Sequence, residues 1–318
     1  MMLTEQNSLD KLIPQLAKNE KEIKKIRDEV SNLHSQQIIY IADSRDLSII
    51  PDDSVHLVLT SPPYWNLKDY NDHKSQLGHI GDYYNFLDQL DKVWAECYKK
   101  LVIGGRMVVV VGDVMLSRRE HGRHKVVPLH ADIQVRCEKI GFDNLAPIFW
   151  HKISNASFEV SGNTKFLGKP YEPNGIIKHD IEYILMLRKN GGYRKPTSEQ
   201  RRLSIISEKE FNLWYKQIWD FNGASTKNHP APFPEELSNR IIRMFSFIGD
   251  TILDPFLGSG TTMLSASKIG RNCIGVEIDK AYAQFSYNRL IKTTMDLYKQ
   301  GIMQLDIIDK TNELTTSK

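Results

Sequence analysis

The most informative stretch of this sequence is Val55-His56-Leu57-Val58-Leu59-Thr60-Ser61-Pro62-Pro63-Tyr64. Its first half is an apolar run, which is typical of a strand buried in a sheet. The run ends at two adjacent prolines, which hold the backbone rigid and lack N–H donors. A hydroxyl, two carbonyl groups and an aromatic ring therefore meet at the end of a strand. This set favours the binding of a flat heterocycle and the polarisation of its exocyclic amine.

A second tight turn lies about 190 residues later, at Ile252-Leu253-Asp254-Pro255-Phe256-Leu257-Gly258-Ser259-Gly260-Thr261-Thr262. It also joins an apolar stretch to a segment with helical character. Gly258 and Gly260 should let backbone N–H groups approach a ligand, and the start of a helix attracts partly anionic groups. No lysine follows Gly260, so the turn is not the phosphate loop of P-loop proteins. By itself it is also compatible with a purely structural turn.

The residues around this second turn favour a ligand site. The apolar run Cys273–Val276 predicts a strand that ends at Glu277, where dinucleotide-binding folds place an acid that holds ribose hydroxyls. Asp279 is an alternative for the same role. The segment Asn228–Pro234 contains His229 and alternating prolines, and its pattern is that of a rigid connector.

The composition fits a chain of 318 residues with one large α/β domain or a domain with an inserted lobe. Its formal net charge is only +3, so a nucleic-acid partner requires local clusters of lysine and arginine. Cys97, Cys137 and Cys273 lack CxxC spacing, which predicts a reducing compartment and neither disulfides nor a zinc site. No membrane-spanning run or signal peptide is present in the sequence, and we expect an intracellular protein.

The order of the predicted elements indicates a doubly wound, mostly parallel sheet, because strands alternate with helices. The predicted strands are 38–41, 55–59, 106–111, 145–150, 181–187, 251–253 and 273–277. The predicted helices are 83–101, 130–140, 234–247, 261–269 and 281–295. Residues 153–225 otherwise lack a regular pattern, and a polar tail follows Ile308.

The first 35 residues carry apolar side chains at spacings of three and four, which predicts an amphipathic helix. The stripe consists of Leu9, Leu12, Leu16, Asn19, Ile23, Ile26, Val30 and Leu33. Pro14 marks its first turn or a kink. Two interpretations stay open. The helix packs on the body of its own chain, or it pairs with a second copy in a homodimer whose register is set by Asn19.

The two turns together resemble those of the β-class amino-group DNA methyltransferases, and Asp254–Thr262 is similar to the S-adenosylmethionine loop of that family residue by residue. The resemblance covers about residues 38–292. It implies a circularly permuted, doubly wound Rossmann-like methyltransferase fold, because the catalytic turn precedes the cofactor loop. It also implies an N-terminal helix (1–36), a catalytic half (37–154), a target-recognition region (155–225), a cofactor-binding half (226–296) and a C-terminal tail (297–318).

The same resemblance implies S-adenosyl-L-methionine as the cofactor. In this family the glycine turn lies along the methionine moiety, the acid after the next strand holds the ribose, Asp43 lies near the adenine amine and His229 caps the pocket. The implied cofactor-binding residues are Asp43, Thr60, His229, Asp254, Pro255, Phe256, Gly258, Ser259, Gly260, Thr261, Glu277 and Asp279.

The catalytic residues expected in the first turn are Ser61, Pro62, Pro63 and Tyr64. The Ser61 hydroxyl and the Pro62 carbonyl are placed to accept the protons of the target amine, which raises the nucleophilicity of its nitrogen. Tyr64 offers a ring for stacking on a base that is flipped out of the duplex. Because the methyl donor is already activated, we expect neither a metal nor a covalent intermediate.

Ser61 at the first position of the catalytic turn resembles the cytosine-N4 enzymes, whereas adenine-N6 enzymes more often carry Asp or Asn there. We therefore expect cytosine N4 as the target, with adenine N6 as the alternative. The sequence is also compatible with a DNA-binding protein that has lost transfer activity, or with a methyltransferase for proteins or small molecules. Cytosine-C5 chemistry would require a cysteine after a proline, and no cysteine of the chain follows one.

A DNA substrate requires basic side chains near the catalytic turn. Ser117–Lys125 is the densest basic stretch, and it forms either a solvated loop or a contact to phosphates. The DNA-binding candidates are Arg118, Arg119, Arg123, Lys125, Lys165 and Lys169, followed by Arg194, Lys195, Arg201 and Arg202. Asn66–Gly81 is expected to be mobile until DNA binds. The expected partners are duplex DNA, a restriction endonuclease that acts on the same site and a second copy of the chain, in a nucleoid-associated cytoplasmic protein of a prokaryote or phage.

Overall fold

A computed structural model describes residues 2–65, 76–152, 179–223, 233–295 and 300–311, which form a nine-stranded sheet with helices on both faces and a separate two-stranded hairpin. The strands are β1 Ser35–Ile41, β2 Val55–Thr60, β3 Leu101–Val111, β4 Val114–Leu116, β5 Lys125–Val127, β6 Phe142–His151, β7 Ile181–Lys189, β8 Ile218–Asp220, β9 Thr251–Asp254, β10 Asn272–Glu277 and β11 Met303–Asp309. The helices are α1 Met2–Ala17, α2 Glu20–Val30, α3 Tyr83–Lys100, α4 Arg118–His121, α5 Leu129–Ile140, α6 Ser198–Leu203, α7 Glu208–Trp214, α8 Glu235–Phe245, α9 Thr261–Lys268 and α10 Lys280–Thr293. A 3-10 helix, Leu77–His79, precedes α3.

The order of the strands brings the two turns to one edge of the sheet. That order is β11-β1-β10-β9-β2-β3-β7-β6-β8. The strands from β11 to β3 are parallel, whereas β7 is antiparallel to both β3 and β6. Leu57 of β2 lies opposite Ile252 of β9, so these strands are neighbours. The turns that follow β2 and β9 therefore open at the same carboxyl edge.

Two apolar layers, one on each face of the sheet, hold the helices. On one face α3 buries Phe86 and Trp94, and on the other α8 and α9 bury Ile241 and Met263. Residues 107–111 of β3 contribute alternately to the two layers and are fully buried, which explains their unbroken apolar sequence. The doubly wound α/β fold is thereby confirmed. Within the described residues, none of the helices is long and apolar enough to cross a membrane.

The N-terminal segment forms two helices instead of the single predicted one. The break falls at Asn19, whose Oδ1 accepts hydrogen bonds from the backbone N–H groups of Lys21 (3.1 Å) and Glu22 (3.3 Å). Asn19 is therefore the N-cap of α2, and the prediction that it lies within a helical seam is wrong. The buried face of α2 contacts α6 and the segment before β9 of the same chain. This cluster, called the amino-terminal cluster below, comprises Ile23, Ile26, Val30, Leu203, Ile205 and Ile248.

Two regions are more regular than the sequence analysis predicted. The predicted tail contains β11, which pairs in parallel with β1 and is an outermost strand of the sheet. The region predicted to be irregular contains α6, α7 and β8. Both short helices begin with a capping box, at Thr197 with Gln200 and at Ser207 with Glu210. These boxes satisfy N–H groups that a short helix would otherwise leave unpaired.

Candidate active site

A cleft of about 920 Å³, with its open solvent included, lies at the carboxyl edge between the two turns. It is large enough for a drug-sized ligand. Ser61 and Pro63 line one wall, and Glu277 lies on the wall formed by the end of β10. The lining also includes Asp43, Gln76, Phe233, Asp254, Gly258 and Ser259.

Asp254 joins the two turns. Its carboxylate accepts hydrogen bonds from the hydroxyls of Thr60 and Thr262, each at 2.7 Å, and from the backbone N–H of Phe256 at 3.1 Å. Burial raises the pKa of Asp254 to about 6, although these donors oppose the shift. Thr60 is fully buried at the end of β2, so this bond links the catalytic turn to the glycine turn. The two residues align the walls of the cleft.

Glu277 is the acid at the end of β10 that lines the cleft. Its carboxylate accepts hydrogen bonds from the N–H groups of Gly258 (2.9 Å) and Asp279 (3.0 Å). Burial is the main cause that raises the pKa of Glu277 to about 7. Asp279 instead caps α10, where its Oδ1 accepts from the N–H groups of Ala281 (2.7 Å) and Tyr282 (3.1 Å). Of the two candidate ribose ligands, Glu277 is therefore the one with a carboxylate on the cleft wall.

The N–H groups of the two glycines in the second turn form hydrogen bonds within the protein. The Gly258 N–H donates to Glu277, and the Gly260 N–H donates to the Leu257 carbonyl at 2.9 Å. These two N–H groups are therefore used within the protein, and the approach of other backbone N–H groups of the turn to a ligand stays a prediction. Gly260 has a φ of +75°, and a Cβ at this position would lie 3.0 Å from the Cβ of Ser286 in α10. Glycine is required here for backbone conformation and for close packing.

Asp43 lies on the cleft wall, but its carboxylate already accepts several hydrogen bonds from Arg45. Its carboxylate accepts from the Arg45 side chain, with Nε at 2.9 Å from Oδ1 and 3.0 Å from Oδ2, and from the Arg45 backbone N–H at 3.0 Å. The neighbouring Ser44 hydroxyl donates to the Pro255 carbonyl. This bond ties the end of β1 to the glycine turn, so the floor of the cleft is fixed from both sides.

The catalytic turn presents two of its four residues to the cleft. Ser61 and Pro63 line it, whereas Pro62 and Tyr64 are buried and are not among its described lining residues. Tyr64 is 9% exposed and belongs to the apolar layer of α3. The next residue, Trp65, has a φ of +50°, and its Nε1 donates to the Ile80 carbonyl at 2.8 Å. A non-glycine residue in this conformation is held by its surroundings and is typical of functional sites.

Trp65 was not among the predicted site residues, although its place after Ser-Pro-Pro-Tyr was a signal. Three predicted residues, Lys165, Lys169 and His229, lie outside the described residues, as do positions 66–75 of the segment expected to be mobile. Phe233, which follows the predicted cap of the pocket, does line the cleft.

The basic stretch forms a hairpin at the catalytic edge. β4 pairs antiparallel with β5, and the short helix α4 lies between them. The exposed cationic side chains of this basic hairpin are Arg118, Arg119, Arg123 and Lys125. Asp113 precedes β4 and His130 follows β5, and the His130 Nδ1 lies 2.6 Å from the Asp113 Oδ1. The His130 ring also stacks on Tyr183, with centroids 3.7 Å apart, so the base of the hairpin is fixed.

The later arginine candidates lie at the opposite edge of the sheet. β7 is antiparallel to β3, so the chain after Lys189 emerges where the parallel strands begin. There Arg194 pairs with Asp250, and Arg201 pairs with Asp10. Arg202 forms ion pairs with Glu29 and Glu199. Contact of Arg194, Lys195, Arg201 and Arg202 with DNA stays a prediction, and these ion pairs hold the three arginines away from the catalytic turn.

The sequence of the chain matches a known family and known relatives. The sequence model of the N6_N4_Mtase family, described as DNA methylase, matches residues 55–288. The Type II methyltransferase M.MjaI of Methanocaldococcus jannaschii is 38% identical over 273 residues, which cover 76% of this chain and 87% of that protein.

Solved structures agree with the sequence relatives. A structure of TTHA0409, a putative DNA modification methylase from Thermus thermophilus, in complex with S-adenosyl-L-methionine is similar with a TM-score of 0.67 and 48% identity, over 86% of this chain and all of that one. The cytosine-N4-specific PvuII DNA methyltransferase shares the fold with a TM-score of 0.60 at 22% identity, over 86% of this chain and 96% of that one.

Proposed function

The chain belongs to the N6_N4_Mtase family of S-adenosylmethionine-dependent DNA methylases, and on that premise we propose that it methylates the N4 amine of cytosine at a specific DNA sequence. The single observation that carries this proposal is Ser61 on the wall of the cofactor cleft, held at the end of β2 by the Pro-Pro turn. The bound cofactor supplies an activated methyl group. The residues of the chain must then prepare the attacking amine.

The exocyclic amine of a base is a poor nucleophile, because its lone pair is delocalised into the ring. Acceptors aimed at its protons favour a pyramidal nitrogen and localise the lone pair. Ser61 supplies a hydroxyl and Pro62 a backbone carbonyl whose position the two prolines fix before substrate binds. With the cofactor bound, the base nitrogen would form the new bond to the methyl carbon, the electron pair of the broken carbon–sulfur bond would stay on the sulfur of the demethylated cofactor, and the excess proton of the amine would pass to water. Transfer is direct and requires no covalent intermediate.

The cofactor-binding roles follow from the cleft. Glu277 accepts hydrogen bonds from the ribose hydroxyls. It uses the carboxylate lone pairs that the N–H groups of Gly258 and Asp279 leave free. Asp43, Pro255, Phe256, Ser259 and Thr261 surround the same ligand from the floor and the glycine turn. Asp254 and Thr60 act from behind by aligning the two turns.

The resemblance of the turn to that of the cytosine-N4 group favours cytosine over adenine. A serine in the first position of the turn accepts or donates a hydrogen bond without a negative charge, which is the arrangement of the cytosine-N4 group. The alternative is adenine N6, because the same acceptors serve either amine. A DNA-binding protein without transfer activity is disfavoured, since the sequence of the catalytic turn is intact and Ser61 and Pro63 line the cleft.

DNA binding is assigned to the basic hairpin. Its exposed arginines and lysine lie at the carboxyl edge, on the side where the catalytic turn opens. Contacts of this kind to phosphates position a duplex without reading its sequence. Lys165 and Lys169 remain candidates in the recognition region. A restriction endonuclease for the same site is the proposed functional partner, because relatives of the chain are Type II methyltransferases.

The test is transfer of labelled methyl from S-adenosylmethionine to unmethylated genomic DNA, followed by nucleoside digestion and mass spectrometry. N4-methylcytosine is the expected product. N6-methyladenine would show that adenine is the target base and would leave the proposed mechanism unchanged. Absence of any labelled nucleoside from a preparation that binds the cofactor would contradict the proposed function. Heat-inactivated protein serves as the control for adsorbed label.

A further inference from the structure

Gln76 holds a buried hydrogen-bond acceptor on the wall of the cofactor cleft. The residue is 9% exposed and lines the cleft. Within the described part of the chain, no N–H or O–H group donates to its Oε1. The residue is the N-cap of the 3-10 helix, yet its side chain makes no capping hydrogen bond. Buried polar atoms are nearly always hydrogen-bonded, so an acceptor left without a donor in a cleft indicates a ligand.

The backbone around Gln76 is held firmly. Its carbonyl accepts from the His79 N–H at 3.3 Å, and Leu77 is buried in the apolar layer of α3. At the end of the 3-10 helix, the Ile80 carbonyl accepts from Trp65, which directly follows the catalytic turn. The amide is therefore presented from an element that is tied both to the body of the protein and to the catalytic turn.

The carboxylates of the cleft already have donors. Glu277 accepts from two backbone N–H groups, Asp43 from Arg45, and Asp254 from two threonine hydroxyls. Gln76 is uncharged, so it suits an N–H group without requiring a compensating cation. Such groups occur on the bound cofactor, as the ammonium and the adenine amine, and on the target base, as the exocyclic amine.

We propose that the Gln76 Oε1 accepts a hydrogen bond from an N–H group of the cofactor or of the target base and thereby positions that ligand for methyl transfer. This inference rests on the proposed function, because it places both ligands in the same cleft. Filling the cleft supplies the missing donor, and the free energy of that bond appears as ligand affinity.

Two substitutions separate the effect of the hydrogen-bond acceptor from the effect of the side-chain shape. Gln76→Met keeps the length and approximate volume and removes the amide oxygen. Gln76→Glu keeps an acceptor at the same place. Gln304→Met makes the same chemical change at an exposed position on β11, far along the sheet, and serves as the matched control. Thermal unfolding of each variant records any loss of fold.

Calorimetry with S-adenosylmethionine in the absence of DNA is the first arm. If the donor belongs to the cofactor, Gln76→Met should weaken binding about tenfold, while Gln76→Glu stays close to the unmodified protein. The second arm measures kcat and KM for DNA. If the donor is the target amine, cofactor affinity is unchanged, kcat falls about tenfold in Gln76→Met, and Gln76→Glu retains most of the rate.

Unchanged values in both arms would overturn the inference, as would equal damage in Gln76→Met and Gln76→Glu. The calorimetric arm does not depend on the nature of the methylated substrate. A tenfold effect there in a protein that methylates no DNA would keep the Gln76 contact and reject the proposed function. Normal DNA methylation by both variants, with normal cofactor affinity, would reject the Gln76 contact alone.

Discussion

Ser61 is the residue on which the proposed chemistry depends most. Ser61→Ala removes one of two acceptors for the amine protons and leaves the backbone of the turn intact. We expect kcat to fall by about 100-fold, with little change in the affinity for S-adenosylmethionine. Ser48→Ala, at an exposed serine outside the cleft lining, is the control. A Ser61→Ala variant with the normal kcat in a single-turnover assay would exclude the hydroxyl from the reaction.

Gly260 combines two constraints that a matched pair of variants can separate. Gly260→Ala places a Cβ on a backbone with a φ of +75° and presses it against Ser286 and Leu290 of α10. Gly249→Ala has a similar φ of +77° but no neighbour within 4 Å, so it measures the backbone strain alone. We expect about 1 kcal/mol of destabilisation for Gly249→Ala and clearly more for Gly260→Ala. Denaturant unfolding checks both values.

The larger Gly260→Val change should also weaken cofactor binding, because a displaced α10 moves the loop that carries Gly258 and Ser259. The Ser286 hydroxyl donates to the Gly258 carbonyl at 2.5 Å, which couples α10 to the turn directly. Calorimetry that gives normal cofactor affinity in a folded Gly260→Val variant would place the pocket elsewhere.

Glu277 should make cofactor binding dependent on pH. Its pKa is raised to about 7, so its carboxyl is mostly neutral at about pH 6 and mostly ionised at about pH 8. The ionised form accepts stronger hydrogen bonds from ribose hydroxyls. We therefore expect the Kd for S-adenosylmethionine to fall several-fold over this range, and Glu277→Gln to flatten the profile. A profile with the same slope in the variant would assign the titration to another group.

The same shift has a consequence for stability in the absence of cofactor. The folded-state pKa of Glu277 lies above its ordinary value of 4.5, so the folded protein binds more protons between these two values. Its contribution to stability therefore declines as pH rises from about 4.5 to about 7. Glu277→Gln removes this pH dependence but leaves one of the two N–H groups without an acceptor, so the denaturant midpoint of the variant should improve relative to that of the unmodified protein as pH rises from about 5 to about 8. A difference between the two midpoints that stays constant over this range would argue against a raised pKa for Glu277.

Residue types at the two turns were predictable, whereas their hydrogen bonds were not. Asp254 was expected to bind the cofactor directly, but its carboxylate mainly joins Thr60 to Thr262. Gln76 carried no motif, because a single glutamine becomes informative only when its burial and missing donor are known. Local sequence specifies which group is present, and the fold decides which partner it meets.

At the scale of elements, the basic hairpin offers the clearest test. The Asp113–His130 contact and the His130–Tyr183 stack close its base. His130→Ala removes both and should let the hairpin move, so we expect KM for DNA to rise several-fold while cofactor affinity is unchanged. Faster tryptic cleavage after the arginines of the hairpin would report the same loosening.

His34→Ala, at an exposed histidine before β1, is the control for a simple loss of imidazole. The role of the hairpin would be contradicted if His130→Ala left KM for DNA unchanged although its cleavage became faster. In that case the hairpin would be a solvated loop, as the plainer interpretation of the sequence had it.

Elements with a strong apolar pattern were predicted correctly and elements with a weak one were missed, for a physical reason. α3 and β3 bury many side chains, so their periodicity is strong enough to read from sequence. The strand β11 and the helices α6 and α7 bury few side chains and depend on partners distant in sequence. Their capping boxes at Thr197 and Ser207 were the readable signals, because the Thr-x-x-Gln and Ser-x-x-Glu spacing marks a helix start.

In the molecule as a whole, the two ends of the parallel strands carry different elements. The carboxyl edge carries the cleft, the catalytic turn and the basic hairpin. The amino edge carries α1, α2 and α6, joined by ion pairs such as Arg201 with Asp10 and Arg202 with Glu29. The apolar side chains of α2 are covered by the body of the same chain. This arrangement supports the interpretation of the N-terminal segment as a packing element over its role as a dimer seam.

Ile26→Ala and Leu12→Ala distinguish these two roles. Ile26 is 6% exposed within the amino-terminal cluster, and Leu12 is 42% exposed on α1. As a packing element, the segment should lose about 2–4 kcal/mol of unfolding free energy in Ile26→Ala and little in Leu12→Ala. Both variants should keep the molar mass of the unmodified protein in light scattering, because neither side chain would lie between two copies. A dimer seam predicts the reverse: Leu12→Ala, whose side chain is free to meet a second copy, would lower the molar mass of a dimer while leaving the unfolding of the monomer unchanged.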